Sequence, residues 1–195
     1  MEKIHNTTKD KILKFLLSNN KEEFTIRSIS KKIDVDYKSV YLAIKDLDVI
    51  ISRKAGQTVL CKINQKCYDI NIIRAEFIRK EELLSNKDIY VLYKRMKEDI
   101  KGPFFVLLLF GSYASGKTRK GSDIDLMLIT DDEEINKKIK HIISLVPLDV
   151  HLVDFKSKEF LSMLKTTEFN VGKEAVNNNV ILFGIEDYYR LIQNA

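Results

Sequence analysis

FFVLLLFGSYASGKTRKGSDIDLMLIT, residues 104 to 130, holds two apolar runs of strand character around a Gly-Ser turn and a paired Asp-x-Asp. The first run, Phe104 to Phe110, stops at Gly111 and Ser112. If a helix begins there, their backbone N–H groups face a bound anion. The second run carries Asp123 and Asp125 two residues apart. On a strand of period two both carboxylates leave one face, while Ile124, Leu126 and Leu128 enter the core. Such a pair can share a divalent metal.

The literal P-loop pattern G-x-x-x-x-G-K-[ST] also fits Gly111 to Thr118, but its context fails. A P-loop needs its Lys-Thr to open a helix of several turns. Here only Arg119, Lys120, Gly121 and Ser122 separate Thr118 from the next strand. That is barely one helical turn, and Gly121 opposes it. Parallel strands joined by a crossover would need a longer connection.

Outward from this stretch, the chain of 195 residues has room for one large domain or two small ones, and its 45% hydrophobic and 31% charged content is that of a globular protein. No apolar stretch approaches a membrane span, and MEKIHNTTKDK is too polar for a signal peptide, so a cytoplasmic location without membrane contact is expected. Cys61 and Cys67 suit neither a disulfide framework nor a zinc site and read as reduced and structural. His5, His141 and His151 are dispersed, which argues against a histidine metal cage.

The net charge of +5 is uneven: residues 1–66 hold 14 Lys/Arg against 8 Asp/Glu, or +6, and the rest hold 19 against 20, or −1. A cationic module on a near-neutral one suits a polyanion partner, although a solvated basic surface accounts for the same charge. In this segment Ile12, Phe15 and Leu16 follow helical spacing after Thr7 or Thr8, with Asn19-Asn20 as the stop. Thr25 caps a second helix with Ile26, Ile29 and Ile33 inward. After the Asp34-Val35-Asp36 turn, Val40, Ile44 and Leu47 define a third. Val49–Arg53 and Thr58–Ile63 then form a hairpin with Gly56 in its tip.

Helix, helix, turn, helix, hairpin resembles the winged helix-turn-helix domains of prokaryotic regulators. The resemblance covers residues 1–66 and implies DNA binding, with the third helix in the major groove. It makes Lys38, Ser39, Tyr41, Lys45, Arg53 and Lys54 the candidate contacts. A fold used only for protein contacts or dimerisation is the alternative.

Residues 67–195 form the expected second domain. Ile72, Ile73, Phe77, Ile78 and then Ile89, Leu92, Tyr93, Met96 predict two helices broken near Ser85-Asn86. Asp131–Ser144 reads as a helix with Ile135, Ile139 and Ile142 inward. Leu145–Val153 reads as a strand bearing Asp149 and His151. Helices near Phe160–Leu164 and Val171–Val176, a strand Val180–Phe183 and a closing segment Ile185–Ile192 complete the domain. The expected fold class is α+β: the winged helix, then an α/β domain with a mixed sheet flanked by helices.

Strand, Gly-Ser, about ten residues, Ser-Asp-x-Asp on a second strand and a later Asp on a third resemble the nucleotidyltransferase superfamily of DNA polymerase β. The likeness is greatest to the minimal nucleotidyltransferases of prokaryotes, with FGSxAxG at Phe110–Gly116 and SDxDL at Ser122–Leu126, and it covers about Ser85 to Ile192. Attack of a hydroxyl on an α-phosphorus calls for two cations held by carboxylates. Asp123, Asp125 and Asp149 are the candidate catalytic and metal residues, with two Mg²⁺ ions expected for oxygen-only ligands and Asp154 competing with Asp149. Gly111, Ser112, Lys117 and Ser122 are candidates for holding the nucleotide, and Arg119 and Lys120 lie beside them. His151 shares a face with Asp149. Relatives often carry Arg where Ser115 stands, and Lys117 is the available substitute.

The resemblance implies transfer of a nucleoside monophosphate, AMP from ATP, to a hydroxyl acceptor. Compact relatives act as antitoxins that adenylylate a tyrosine of a paired HEPN-class toxin, which implies a toxin partner, and a homodimer is a further expected assembly. The alternative function is a DNA-binding transcriptional regulator whose transferase fold is non-catalytic and senses nucleotide or mediates dimerisation.

Overall fold

The computed structural model describes residues 6–101, 104–119 and 121–193. The chain divides into two compact units, Met1–Ile78 and Arg79–Ala195.

In the first unit, α1 (Thr8–Ser18) is followed by the short strand β1 (Phe24–Thr25), α2 (Ile26–Ile33), α3 (Tyr37–Lys45), β2 (Ile50–Ala55) and β3 (Thr58–Ile63). Each helix starts on a side-chain cap. Thr7 accepts from Asp10 N, Thr25 from Ser28 N and Asp36 from Ser39 N, so each occupies one of the donors a helix start leaves unpaired. Asp34 ends α2 in the left-handed conformation at φ 52°. The three helices pack on one another, and Ile12, Leu13, Leu16, Ile29 and Val40 are fully buried between them. The strands pair antiparallel in the order β1-β3-β2. Ala55 faces Thr58 in the register, so the hairpin reverses through Gly56 and Gln57 alone, and Gly56 supplies the positive φ such a tight turn demands. The strand thus runs on through Lys54 and Ala55, which the sequence pattern had placed in the loop.

Helix α4 (Ile70–Leu83) carries the division between the units, and α5 (Lys87–Asp99) starts on an Asn86 cap. Phe77, expected inward on α4, is exposed, while Glu76, Arg79 and Lys80 are buried. Burial pushes the Lys80 ammonium pKa down.

The second unit continues with β4 (Val106–Phe110), the single turn α6 (Gly111–Ala114), β5 (Ile124–Ile129), α7 (Glu133–Ser144), β6 (Val150–Phe155), α8 (Ser157–Lys165), α9 (Val171–Asn177), β7 (Asn179–Phe183) and α10 (Ile185–Gln193). The sheet order is β6-β5-β4-β7. The β5–β6 pair is parallel and the other two are antiparallel, giving an α+β unit with a mixed sheet. Leu107, Leu109, Ile124, Leu126, Leu128 and Leu182 meet α5 and α7 through Ile89, Leu92, Met96, Ile135, Ile139 and Ile142. Helices α9 and α10 pack against β4, with α8 beside them. Covered on both sides, β4 reads as an unbroken apolar run rather than an alternating one. Tyr188 and Tyr189 are core residues.

Strand β6 begins at Val150, later than the expected Leu145. Helix α7 ends at Ser144, and Leu145–Asp149 are spent on the turn back to the sheet. Among the described residues, no helix is long and apolar enough to cross a membrane.

Candidate functional site

The site forms where β4 stops. Gly111 takes φ +68°, a conformation that favours glycine, and a Cβ built there would fall on Asp125 Oδ2 and push that carboxylate aside. The β4–β5 register explains the encounter: Phe110 pairs with Asp125, which puts the residue after Phe110 against that side chain. Asn178 Nδ2 donates to Gly111 O at 3.3 Å. Asn179, opposite Phe110, accepts at its own carbonyl from Arg79 Nη2 at 2.6 Å, so the end of β4 is braced from β7.

Beyond Gly111 the chain makes one helical turn and then a looped return. Its first N–H groups have no acceptor inside the turn, which is the ordinary condition of a helix start. Ser115 Oγ donates to Gly111 O and Ser112 O, both at 3.1 Å, so the residue standing where relatives often carry Arg closes the turn locally. Lys117 N donates to Ser112 O at 3.0 Å. Ser122 Oγ accepts from Arg119 N at 2.8 Å while Ser122 N donates to Arg119 O at 3.0 Å, so Ser122 fixes the loop from within. Lys120 lies outside the described residues. No helix follows Thr118 up to β5 among the described residues, so the P-loop context is missing.

Asp125 lies inside β5, whereas Asp123 and Asp149 stand one residue ahead of β5 and β6. The parallel register pairs Ile124 with Val150 and Asp125 with His151, and Ile124 N donates to Asp149 O at 2.9 Å. Alternation therefore gives Asp123, Asp125, Asp149 and His151 one face and one end of the sheet, opposite the face where Ile124 and Leu126 enter the core. Asp125 is half-buried; Asp123, Asp149 and His151 are exposed. Asp125 Oδ1 lies 3.6 Å from His151 Nδ1. Among the described residues, no three His, Cys, Asp or Glu side chains converge as a metal cage. The chemistry that fits a divalent cation is the edge itself: a carboxylate over a glycine, a neighbouring imidazole, and two exposed carboxylates one step along the register.

Asp154 is committed elsewhere. It accepts from Lys140 Nζ at 2.9 Å and from Asn136 Nδ2 at 2.6 Å, tying β6 to α7, and those two partners hold its carboxyl below the usual range. A cavity of about 660 Å³ opens at the other ends of β4 and β5, near Phe105, Ile129 and Asp187. Its Asp131 already accepts from Ser157 and its Asp132 caps α7, so it shares nothing with the edge at Gly111.

In the first unit, Tyr41 stacks on Tyr37 with centroids 6.3 Å apart, and Lys45 Nζ sits 4.6 Å from the Tyr41 centroid. Lys38 is exposed on the same helix; Ser39 is half-buried, and its N–H is taken by Asp36. On the hairpin, Lys54 is exposed and Arg53 is paired to Glu23 through Nε at 3.0 and 2.9 Å. That guanidinium holds the Glu23 carboxyl below its usual range. A cleft of about 510 Å³ lies between α3 and the hairpin, lined by Arg27, Tyr37, Tyr41, Gln57 and Thr58 among others. Arg27 and Tyr37 flank the apolar positions that define α2 and α3, so helical spacing alone does not single them out. Cys61 and Cys67 are both free, and burial raises the pKa of each thiol.

No curated protein matches the chain. A crystal structure of a toxin-antitoxin with AMP-PNP is 21% identical and covers 56% of this chain and 82% of its own, and at a TM-score of 0.36 it carries no argument about fold or partner. Residues 89–174, from α5 through the Gly-Ser turn, the Asp-x-Asp strand and β6 into α9, match the family model described as a nucleotidyltransferase domain, which supports nucleotidyl transfer as the general chemistry of the second unit.

Proposed function

We propose that the second unit is a divalent-metal-dependent nucleotidyltransferase that moves a nucleoside monophosphate, AMP from ATP, to a hydroxyl acceptor. The observation that carries this reading is the seating of Asp125 over Gly111, inside the segment that matches the nucleotidyltransferase model. Asp123, Asp125 and Asp149 would hold the ions, Mg²⁺ being the expectation for oxygen donors. A bound ion supplies charge stabilisation at the α-phosphate and lowers the pKa of the attacking hydroxyl. The chain's own residues do the rest. Gly111 lets the triphosphate approach the backbone, Ser112 offers its hydroxyl and N–H to phosphate oxygens, and Ser122 keeps the Lys117 loop in place. In the reaction the acceptor oxygen bonds to the α-phosphorus, the bond from that phosphorus to the β-bridging oxygen breaks, pyrophosphate leaves and the hydroxyl proton passes to solvent.

The motif resemblance extends the reading to a tyrosine of a partner toxin as the acceptor. The order of elements in the first unit and its +6 charge over residues 1–66 support a winged helix that binds DNA through Lys38, Ser39, Tyr41, Lys45, Arg53 and Lys54. Domain limits of 1–66 and 67–195 go with this reading. Incubation with Mg²⁺, ATP labelled at the α-phosphate and a host lysate tests the enzyme. Label should appear on a macromolecule and vanish with Asp125→Asn. A wild-type protein that transfers none with Mg²⁺ or Mn²⁺, yet binds DNA, would favour the non-catalytic regulator.

A further inference from the structure

We infer that His151 is itself a metal ligand at the Asp125 site, so that the ion there is held by an imidazole nitrogen as well as by carboxylate oxygens. The inference rests on the nucleotidyltransferase reading above and changes its expected ion.

Asp125 and His151 are direct register partners on the parallel strands β5 and β6, so their side chains leave the sheet side by side. Asp149, the carboxylate expected to complete the set, stands two residues earlier, beside Asp123 rather than Asp125. The 3.6 Å between Asp125 Oδ1 and His151 Nδ1 is too long for a hydrogen bond. Two donors that each lie about 2.1 Å from one ion stand about 3.0 to 3.4 Å apart, so a small turn of the exposed His151 side chain brings the pair to that spacing. As a bare ion pair it would contribute little, because the His151 side chain is 66% exposed and screened by solvent. The other carboxylate oxygen, Asp125 Oδ2, is packed against Gly111 in the space a Cβ would take, which leaves Oδ1 as the oxygen on the His151 side. A half-buried carboxylate and an exposed imidazole thus leave one face of the sheet side by side.

Donor type then sets the ion. Mg²⁺ takes oxygens and keeps its waters, whereas imidazole favours the later first-row divalent ions. The site accordingly gains affinity for Mn²⁺ and Co²⁺ from His151 and gains none for Mg²⁺.

The test uses the full chain with Mn²⁺ and a non-hydrolysable ATP analogue. Electron spin-echo spectroscopy should detect nitrogen coupled to the bound Mn²⁺, and His151→Ala should abolish it. By titration the same variant should weaken Mn²⁺ at least about tenfold, the scale on which metal-site partners act, while Mg²⁺ affinity stays within about twofold. His151→Asp should restore Mn²⁺ affinity without the nitrogen signal. Mn²⁺ that binds, depends on Asp125 and shows no histidine nitrogen would overturn the inference and leave nucleotidyl transfer standing. Failure of any divalent ion to bind with the nucleotide analogue would overturn both.

Discussion

Gly111 and Asp125 are the pair on which the proposed chemistry turns, and the packing of each explains the other. The glycine conformation alone costs a non-glycine residue about 1–2 kcal/mol. The added methyl would also displace the Asp125 carboxylate. Gly111→Ala is therefore expected to lower stability by at least that amount in thermal unfolding and, in the folded fraction, to abolish label transfer. A folded variant with wild-type transfer would show that the carboxylate need not sit over the turn. That a Gly-Ser turn and an Asp-x-Asp strand come together was legible in the sequence, since two apolar runs of strand character bracket them. The Asp125–His151 partnership was not, because a register between strands some twenty-five residues apart has no local signature.

Among elements, the helices of both units follow their capping residues and apolar spacing closely. Thr7, Thr25, Asp36 and Asn86 all act as caps, and the break at Ser85-Asn86 falls between α4 and α5. Two departures from the local pattern stand out: β2 runs through Lys54-Ala55 because β3 pairs with it, and on α4 Phe77 faces outward while Glu76 is buried. One tie between elements has a measurable pH dependence. Burial pushes the Asp10 pKa up, but hydrogen bonds from Arg74 and from the Thr7 N–H and hydroxyl outweigh it and hold the carboxyl below 3.8. The unfolded chain then takes up the proton more readily. The contribution is complete above the ordinary carboxylate pKa and is lost as pH falls through the folded value. Asp10→Asn should cost about 1–3 kcal/mol at neutral pH and less in strong acid, read from denaturant unfolding across pH. An equal cost at every pH would contradict the ion-paired role of Asp10.

At the scale of the whole molecule, a cationic unit and a near-neutral one that carries the carboxylate edge share one chain. If the first unit binds DNA through phosphate contacts, the logarithm of affinity should fall by about 0.9 per log unit of salt for each contact. Lys38→Ala with Lys45→Ala should reduce that slope by about two contacts' worth. An unchanged slope would move the contact surface elsewhere.

The most direct measurement of the central claim follows both ends of the triphosphate. With ATP labelled at either the α- or the γ-phosphate, the protein is predicted to place only the α-label on the acceptor and to release the γ-label in pyrophosphate, both losses and gains disappearing with Asp125→Asn. Transfer of the γ-label, or α-label transfer that survives Asp125→Asn, would contradict the account.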